Sequence, residues 1–412
     1  MKLTEEENEM LEGKYGEAMQ TAMELLVAVG ECYGAERMIP VASAHLSCAN
    51  PVTAGKGGTI FIKNMAKGGG RFVIPTTTNP TSLDPWAWRE MGFSQDIYQE
   101  NAALSETLAG MGGYLCNTCI PYLIGHAPRL REHVAWAESS AIIYANAVLG
   151  ARTNREGGPS ALAAGLTGRV PAYGYHLDEN RHGSIKIRVN AKLNAETEYA
   201  TLGYFAGKIA QDKVPILTGI PPSVSQDELK CLGAALATSG SAALFHVVGV
   251  TPEAPTEEMA TGFKKIGPSD TFEFNLTELK KTEESISRIG PEEADLVVLG
   301  CPHPSINQIK RYAEAFSGRR VKSKVEIWIL TSHLIKKYAE DIGYAAPLKS
   351  AGVRLAANTC PSPMPREFFI KRGYRGAATD SPKMVYYISA TKGIPCYYGS
   401  LEKFIDWVTD KG

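Results

Sequence analysis

The sequence lacks several features that would assign it to a broad class of protein. No apolar run approaches the roughly 20 residues that a membrane-spanning helix needs. Neither charge dominates, since 43 Lys and Arg residues face 44 Asp and Glu residues, which argues against a nucleic-acid-binding surface as the main feature. The stretch from Met1 to Glu7 has no apolar signal-peptide core and is too acidic for a transit peptide. We therefore expect a cytoplasmic protein.

The second half of the sequence has the clearest secondary-structure pattern. A chain of 412 residues, 44% of them apolar, is long enough for two or three domains with their own cores. Helical patterns at residues 225–239, 305–317 and 332–342 separate short apolar runs, which predict strands at 214–217, 242–250, 295–300, 325–330, 353–357 and 385–389. Strands buried on both faces and alternating with helices predict doubly wound α/β layers with largely parallel sheets.

The first half is predicted to contain more helix and more loop. Apolar residues have helical spacing at 13–30 and 131–149, and Thr4 with Glu7 forms a capping-box pattern that predicts a helix near the start. We place a domain boundary near residues 190–210. This divides an N-terminal helix- and loop-rich α/β region, residues 1–200, from a doubly wound α/β region, residues 201–412.

Eight cysteines without a secretion signal are unusual, and in a reducing compartment they are free thiols, metal ligands or catalytic groups. Three of them precede a proline closely: Cys119, Cys301 and Cys360. Because proline continues neither a helix nor a strand, each thiol is expected at the carboxyl end of an element, where α/β sheets bind ligands. Three converging thiolates suit an iron–sulfur cluster with one open iron, although simple packing remains the alternative.

One long segment resembles a known family. Residues 138–158, with the sequence ESSAIIYANAVLGARTNREGG, resemble the aconitase X family. Shorter segments agree in the same order along nearly the whole chain, at residues 43–45, 76–79, 119–122, 300–303 and 359–361. Aconitase X belongs to the aconitase superfamily of hydro-lyases.

The resemblance implies aconitase-like layered α/β/α modules and an iron–sulfur cluster, expected to be [4Fe–4S], held by Cys119, Cys301 and Cys360. It places Cys116, in the same CxxC as Cys119, outside the ligand set. Family members also have a swivelling β-domain that closes over the site and supplies a serine base. Single-chain members are longer by about one small domain, so we expect a separate small subunit to carry that domain and the base.

Two activities are known in the family. One dehydrates (R)-5-phosphomevalonate to trans-anhydromevalonate 5-phosphate in an archaeal mevalonate route to isoprenoid precursors, and the other dehydrates cis-3-hydroxy-L-proline. The first is our leading hypothesis, since a two-chain arrangement favours it. A non-enzymatic iron–sulfur or redox protein, and an α/β binding protein with inert cysteines, are the alternatives from other classes.

Dehydration requires a base, an acid or metal for the hydroxyl, and groups that hold the substrate's anions. Arg152 is the predicted clamp, because a guanidinium binds carboxylate or phosphate in a bidentate manner. Ser139, Asn146 and Thr153 fall on one face if their helix continues, although they could equally bond a neighbouring helix. The predicted catalytic residues are His45, Arg152 and His303. His45 is equally compatible with a structural role, and His303 either donates to a cluster sulfide or to the substrate or supports the cluster ligands from behind. The predicted substrate-binding residues are Ser43, Ala44, His45, Thr77, Thr78, Asn79, Glu138, Ser139, Asn146, Arg152 and Thr153.

Overall fold

Three parallel β-sheets form the framework of the protein in a computed structural model, which describes residues 1–411. They follow one another along the chain, and each is accompanied by helices of its own part of the sequence. This arrangement confirms the predicted mixed α/β class with mostly parallel sheets.

The first sheet has three short strands, in the order Thr76–Thr78, Ala44–Leu46 and Ala135–Trp136. A separate antiparallel pair joins Met38–Pro40 to Arg169–Pro171. The capping box of Thr4 and Glu7 is present, which confirms the predicted first helix. The α-helices of this part are Glu5–Leu11, Glu17–Cys32, Pro51–Lys67, Gln95–Gly110, Ser139–Ala147 and Gly158–Thr167.

The second sheet has four strands in the order His246–Val247, Pro215–Thr218, Ile185–Val189 and Thr271–Phe274. Its helices are Glu196–Ala210, Gln226–Ser239, Glu257–Ala260 and Leu276–Ile286. The first two pack closely, because Gly203 lies against the backbone of Leu232, where an added Cβ would be 2.1 Å from the carbonyl oxygen. The boundary predicted near residue 200 falls inside one of these helices, and the sheet takes strands from both sides of it.

The third sheet has five strands in the order Arg354–Ala357, Glu326–Thr331, Leu296–Leu299, Ala377–Thr379 and Cys396–Tyr398. The first strand in the chain lies at the centre and the order reverses beside it, as in doubly wound folds. Its helices are Ile306–Phe316, His333–Asp341, Ala345–Ala351, Arg366–Arg372, Pro382–Tyr386 and Leu401–Val408, and an antiparallel pair joins Arg319–Val321 to Thr409–Lys411.

The predicted helices at 225–239, 305–317 and 332–342 are confirmed to within about one residue at each end. The strand predicted at 385–389 is wrong, because this segment is helical and continues as a π-helix over Tyr387–Lys392. Ser381 caps the helix and Pro382 occupies its first turn, and both are helix-starting signals. The helical pattern at 131–149 is helical only over Ser139–Ala147, after a short strand. None of the helices within residues 1–411 combines the length and apolar character that crossing a bilayer requires.

Candidate active site

The loops that carry Cys119, Cys301 and Cys360 meet at one cavity of about 400 Å³. Cys301 follows the central strand of the five-stranded sheet, beside the point where the strand order reverses. Cys360 comes three residues after the edge strand Arg354–Ala357, which the strand Glu326–Thr331 separates from the central one, and both positions agree with the prediction. Cys119 differs, since it lies in a loop before the short 3₁₀ helix Pro121–Leu123 rather than at a strand end. Ligands bind at such crevices in doubly wound sheets.

Each cysteine loop contains a residue with left-handed backbone shortly before the thiol. These residues are Asn117, Gly300 and Asn358, with φ angles of 44°, 93° and 62°. Glycine is required at position 300, because an added Cβ would be 2.6 Å from the carbonyl oxygen of Leu330. The Asn358 side chain accepts a hydrogen bond from the His333 amide at 2.8 Å, which stabilises its turn.

The donor set of the cavity fits an iron–sulfur cluster. The three thiols are half-buried, and burial raises the pKa of Cys119 to about 12 and that of Cys360 to about 11. Thiols with such pKa values stay protonated until a metal displaces the proton. Within residues 1–411, no three His, Cys, Asp or Glu side chains are placed so that they could hold a single metal ion. A cubane separates its thiolates more widely, because each binds a different iron.

A buried ion pair forms the polar wall of the cavity. The Lys383 ammonium donates to Glu138, to Ser139 Oγ at 3.0 Å and to Ser140 Oγ at 3.1 Å. Burial alone would raise the pKa of Glu138, but the charge of Lys383 and the hydrogen bonds lower it to about 2. Burial alone would lower the pKa of Lys383, but the charge of Glu138 raises it. Both groups are therefore charged at neutral pH.

The cavity wall contains three of the predicted substrate-binding residues, which are Asn79, Glu138 and Ser139. The Asn79 side-chain amide donates to Glu138 Oε2 at 2.9 Å, and its carbonyl oxygen has no partner. This buried acceptor lies beside the ion pair, and the Asn79 side chain also stabilises the protonated form of His45.

The predicted residues on the two adjacent strands of the first sheet are buried behind the cavity wall. His45 Nδ1 is bonded to Thr77 Oγ1 at 2.9 Å, Thr78 donates to Asn117, and Ser43 accepts from the Trp136 indole. The site contacts predicted for these residues and for Ala44 remain predictions. Burial lowers the pKa of His45 to about 4, so the ring is neutral, and its Nε2 has no partner.

Arg152, Asn146 and Thr153 also lie outside the cavity. The guanidinium of Arg152 pairs with Asp178 and donates to the His176 carbonyl. The helix ends at Ala147, so the face expected for Ser139, Asn146 and Thr153 does not form. The Asn146 side chain instead exchanges two hydrogen bonds with the Thr153 backbone, at 2.8 and 3.0 Å.

Both ring nitrogens of His303 are engaged by protein groups. Nδ1 is bonded to Thr118 Oγ1 at 2.9 Å and Nε2 to the Thr359 carbonyl at 3.0 Å. Burial lowers the pKa of this histidine to about 4, so it is neutral. No ring nitrogen is left for the substrate contact that the sequence suggested.

Several lining residues were missed by sequence reasoning, including Ser47, Cys48, Asn50, Arg155, Lys383 and Tyr387. Lys383 had a usable signal, since it is a cation on a short apolar helix that directly follows a strand. Arg155 lies in the segment on which the resemblance rests, three residues after the arginine that was chosen. Its Nη1 donates to the Ala237 carbonyl at 3.3 Å, and it forms no ion pair with a carboxylate among residues 1–411.

The backbone adds positive potential to the cavity. The helices Ser139–Ala147 and Gly158–Thr167 begin at its wall, and so does the first turn of Pro51–Lys67, which a kink at Gly55 separates from the rest of that helix. The first turns of helices present unpaired N–H groups and the positive end of the helix dipole. The cavity therefore suits an anionic ligand.

Three family models match consecutive parts of the chain. They are described as the first, second and third domains of aconitase X, and they match residues 1–179, 183–284 and 294–410. The crystal structure of Thermococcus kodakaraensis aconitase X in its holo-form is similar, with a TM-score of 0.89 and 35% identity. The match covers 99% of this chain and 100% of that chain.

Named relatives fall into two groups. A phosphomevalonate dehydratase large subunit of Methanothermobacter thermautotrophicus is 40% identical over 95% of this chain and 95% of its own length. The Methanocaldococcus jannaschii protein of the same name is 36% identical over 98% of this chain and 99% of its own length. A cis-3-hydroxy-L-proline dehydratase of Pseudomonas aeruginosa is 35% identical over 93% of this chain and 66% of its own length.

Proposed function

The chain belongs to the aconitase X family, and from this membership we propose that it is the large subunit of a phosphomevalonate dehydratase. The reaction is the loss of water from (R)-5-phosphomevalonate to give trans-anhydromevalonate 5-phosphate. The observation that carries the proposal is the meeting of three cysteine loops with the Glu138–Lys383 pair in one cavity. The relatives with this name match both chains almost completely, which supports the substrate.

Cys119, Cys301 and Cys360 would hold an iron–sulfur cluster. When bound, such a cluster with three protein thiolates supplies a Lewis acid that assists the departure of a hydroxyl group. The thiols must lose their protons for this, and a reducing cytoplasm keeps them available as ligands. A cytoplasmic location is therefore part of the proposal.

Phosphomevalonate carries a carboxylate and a phosphate, and the cavity offers groups for both. Arg155 lines the wall without a carboxylate partner and can bind one anion in a bidentate manner. Lys383 and the Ser139 hydroxyl lie deeper, beside the cysteines. We assign the phosphate to Arg155 and the first turn of Gly158–Thr167, and the substrate's carboxylate to the vicinity of Lys383.

The base that removes the Cα proton is proposed to come from a small subunit, as the large-subunit names imply. The pKa values of the lining groups support this. Glu138 has a pKa of about 2, and burial raises that of Cys48 to about 11. The charge of Lys383 lowers the pKa of Tyr387, but burial and nearby negative charge together raise it to about 12. A general base works best with a pKa near the working pH, and none of these groups has one.

The test combines both chains under anaerobic conditions. The reconstituted large subunit is assayed for water loss from (R)-5-phosphomevalonate and from cis-3-hydroxy-L-proline, with and without the small subunit. We expect turnover of phosphomevalonate only when both subunits are present. Turnover of the proline substrate alone would refute the substrate assignment, and full activity of the large subunit alone would refute the need for a partner.

A further inference from the structure

His303 lies where the three cysteine loops meet, and it contacts all of them. It is two residues from Cys301 in the chain, and its backbone N–H donates to Cys119 Sγ at 3.3 Å. Its ring reaches the residue before Cys119 through the Thr118 hydroxyl at 2.9 Å. The other ring nitrogen reaches the residue before Cys360, at the Thr359 carbonyl, over 3.0 Å.

The partners determine which ring nitrogen carries the proton. A carbonyl oxygen only accepts, so Nε2 must donate to Thr359. Nδ1 is then the acceptor for the Thr118 hydroxyl, and the Thr118 oxygen in turn accepts from the Ile120 amide at 3.3 Å. On the far side, the buried Lys230 ammonium donates to the His303 carbonyl at 3.3 Å. The ring, which is about 1% exposed, therefore has one satisfied tautomer and one orientation.

We propose that His303 is a positioning residue that holds the three cysteine loops at the spacing a cluster requires. The cysteines lie far apart in the sequence, at 119, 301 and 360, and each loop turns through a left-handed residue. The loops are anchored to different strands, since the Thr118 N–H donates to the Thr78 carbonyl and the Asn358 N–H to the Thr331 carbonyl, and the His303 ring joins these loops. The N–H···S bond to Cys119 also withdraws electron density from that thiolate.

This inference rests on the cluster of the proposed function and not on its substrate. The test needs no substrate. It measures the rate at which the anaerobically reconstituted full-length chain loses iron to a chelator. Removal of groups that orient metal ligands commonly weakens metal binding about 10- to 100-fold. We expect His303→Ala to lose iron about 10- to 100-fold faster than the wild type.

Two further variants separate positioning from general stability. Thr118→Val removes the hydroxyl that bonds to Nδ1 and accepts from the Ile120 amide, and His303→Gln keeps a donor for Thr359. Both should lose iron at rates between those of the wild type and His303→Ala. In the Thr118→Val/His303→Ala double variant, Thr118→Val should add little to the effect of His303→Ala, because the bond between Thr118 and the ring is already absent.

His246 provides a matched control. It is also buried, at about 2% exposed, and one ring nitrogen bonds to the Arg181 carbonyl at 2.7 Å, in the four-stranded sheet. His246→Gln should lower the melting temperature while it loses iron at the wild-type rate. The inference is overturned if Thr118→Val and His303→Gln both retain iron within twofold of the wild type, or if the wild type binds no iron. Cluster retention without phosphomevalonate turnover would refute the proposed function and leave this inference standing.

Discussion

The Glu138–Lys383 pair allows a quantitative test of how the cavity wall is built. Lys383→Met removes the cation and nearly keeps the side-chain volume. Glu138 then remains as a carboxylate whose side chain is only 12% exposed, with Ser140 and Asn79 as its remaining partners. Glu138→Gln performs the reverse change, and the double variant removes both charges.

The magnitude follows from the pKa of Glu138. Its folded value of about 2 lies below the ordinary 4.5, so the pair contributes stability that is present above pH 4.5 and lost as the pH falls toward 2. The difference corresponds to about 3 kcal/mol, in line with the roughly 3–5 kcal/mol that breaking a buried pair costs. With about 2 cal/mol/K of unfolding entropy per residue, this lowers the melting temperature of a chain of 412 residues by about 3–6 °C.

The assay is thermal unfolding of the cluster-free protein at pH 7, followed by circular dichroism. Each single variant should lose about 3–5 kcal/mol, and the double variant clearly less than either, because no charge is left buried alone. The stability difference between the wild type and Glu138→Gln should shrink as the pH falls from 4.5 toward 2. Lys281→Met, which breaks a pair whose lysine is 65% exposed, is the control and should cost under about 1 kcal/mol.

Additive effects would refute this reasoning. If the two single variants sum to the double variant within about 0.5 kcal/mol, the charges do not interact as the structure places them. A difference between the wild type and Glu138→Gln that stays constant from pH 4.5 to pH 2 would contradict the assigned pKa.

Three further predictions concern the cavity. Arg155→Ala should lower kcat/KM for phosphomevalonate about 10- to 100-fold in steady-state assays, because the substrate loses a charged hydrogen bond. An equal loss of kcat/KM in Arg152→Ala, without a loss of stability, would contradict the assignment of the anion to Arg155. Cys360→Ser should abolish the cluster's visible absorbance after anaerobic reconstitution, while the melting temperature of the cluster-free protein changes by only a few degrees. An unchanged spectrum would exclude this thiol as a ligand. Gly158→Ala should raise KM in the same kinetic assay, because the added Cβ would be 2.8 Å from Cys48 Sγ at the cavity wall. Wild-type kinetics would show that the Cys48 side chain moves aside without disturbing substrate binding.

The secondary structure of the second half was predictable because strong local signals agree there. The apolar run Leu296–Leu299 has β-branched residues in its middle and is followed by Gly300, which favours a buried strand, and Ser305 and Ser332 mark helix starts by capping. The segment at 385–389 was mispredicted, because a short apolar run is compatible with either a buried strand or a buried helix. The capping signals of Ser381 and Pro382 decide for the helix.

The two arginines Arg152 and Arg155 show how far the sequence alone can predict the site. Arg152 and Arg155 are three residues apart in one segment, and the sequence gives both the same charge. Arg152 is paired with Asp178, from a segment that follows some 26 residues later, and is turned away from the cavity. Arg155 lines it. A pairing between distant segments is not encoded in local periodicity, so the sequence could not distinguish the two.

The sequence by itself determined the α/β class, most of the strands and helices of the second half, and the three cysteines that closely precede a proline. These follow from local patterns of apolar residues, caps and helix breakers. Only the tertiary structure decided that the loops of Cys119, Cys301 and Cys360 meet at one cavity, and that Lys383 neutralises Glu138 there. Both depend on contacts between residues more than 180 positions apart along the chain, which form only when the sheets pack together.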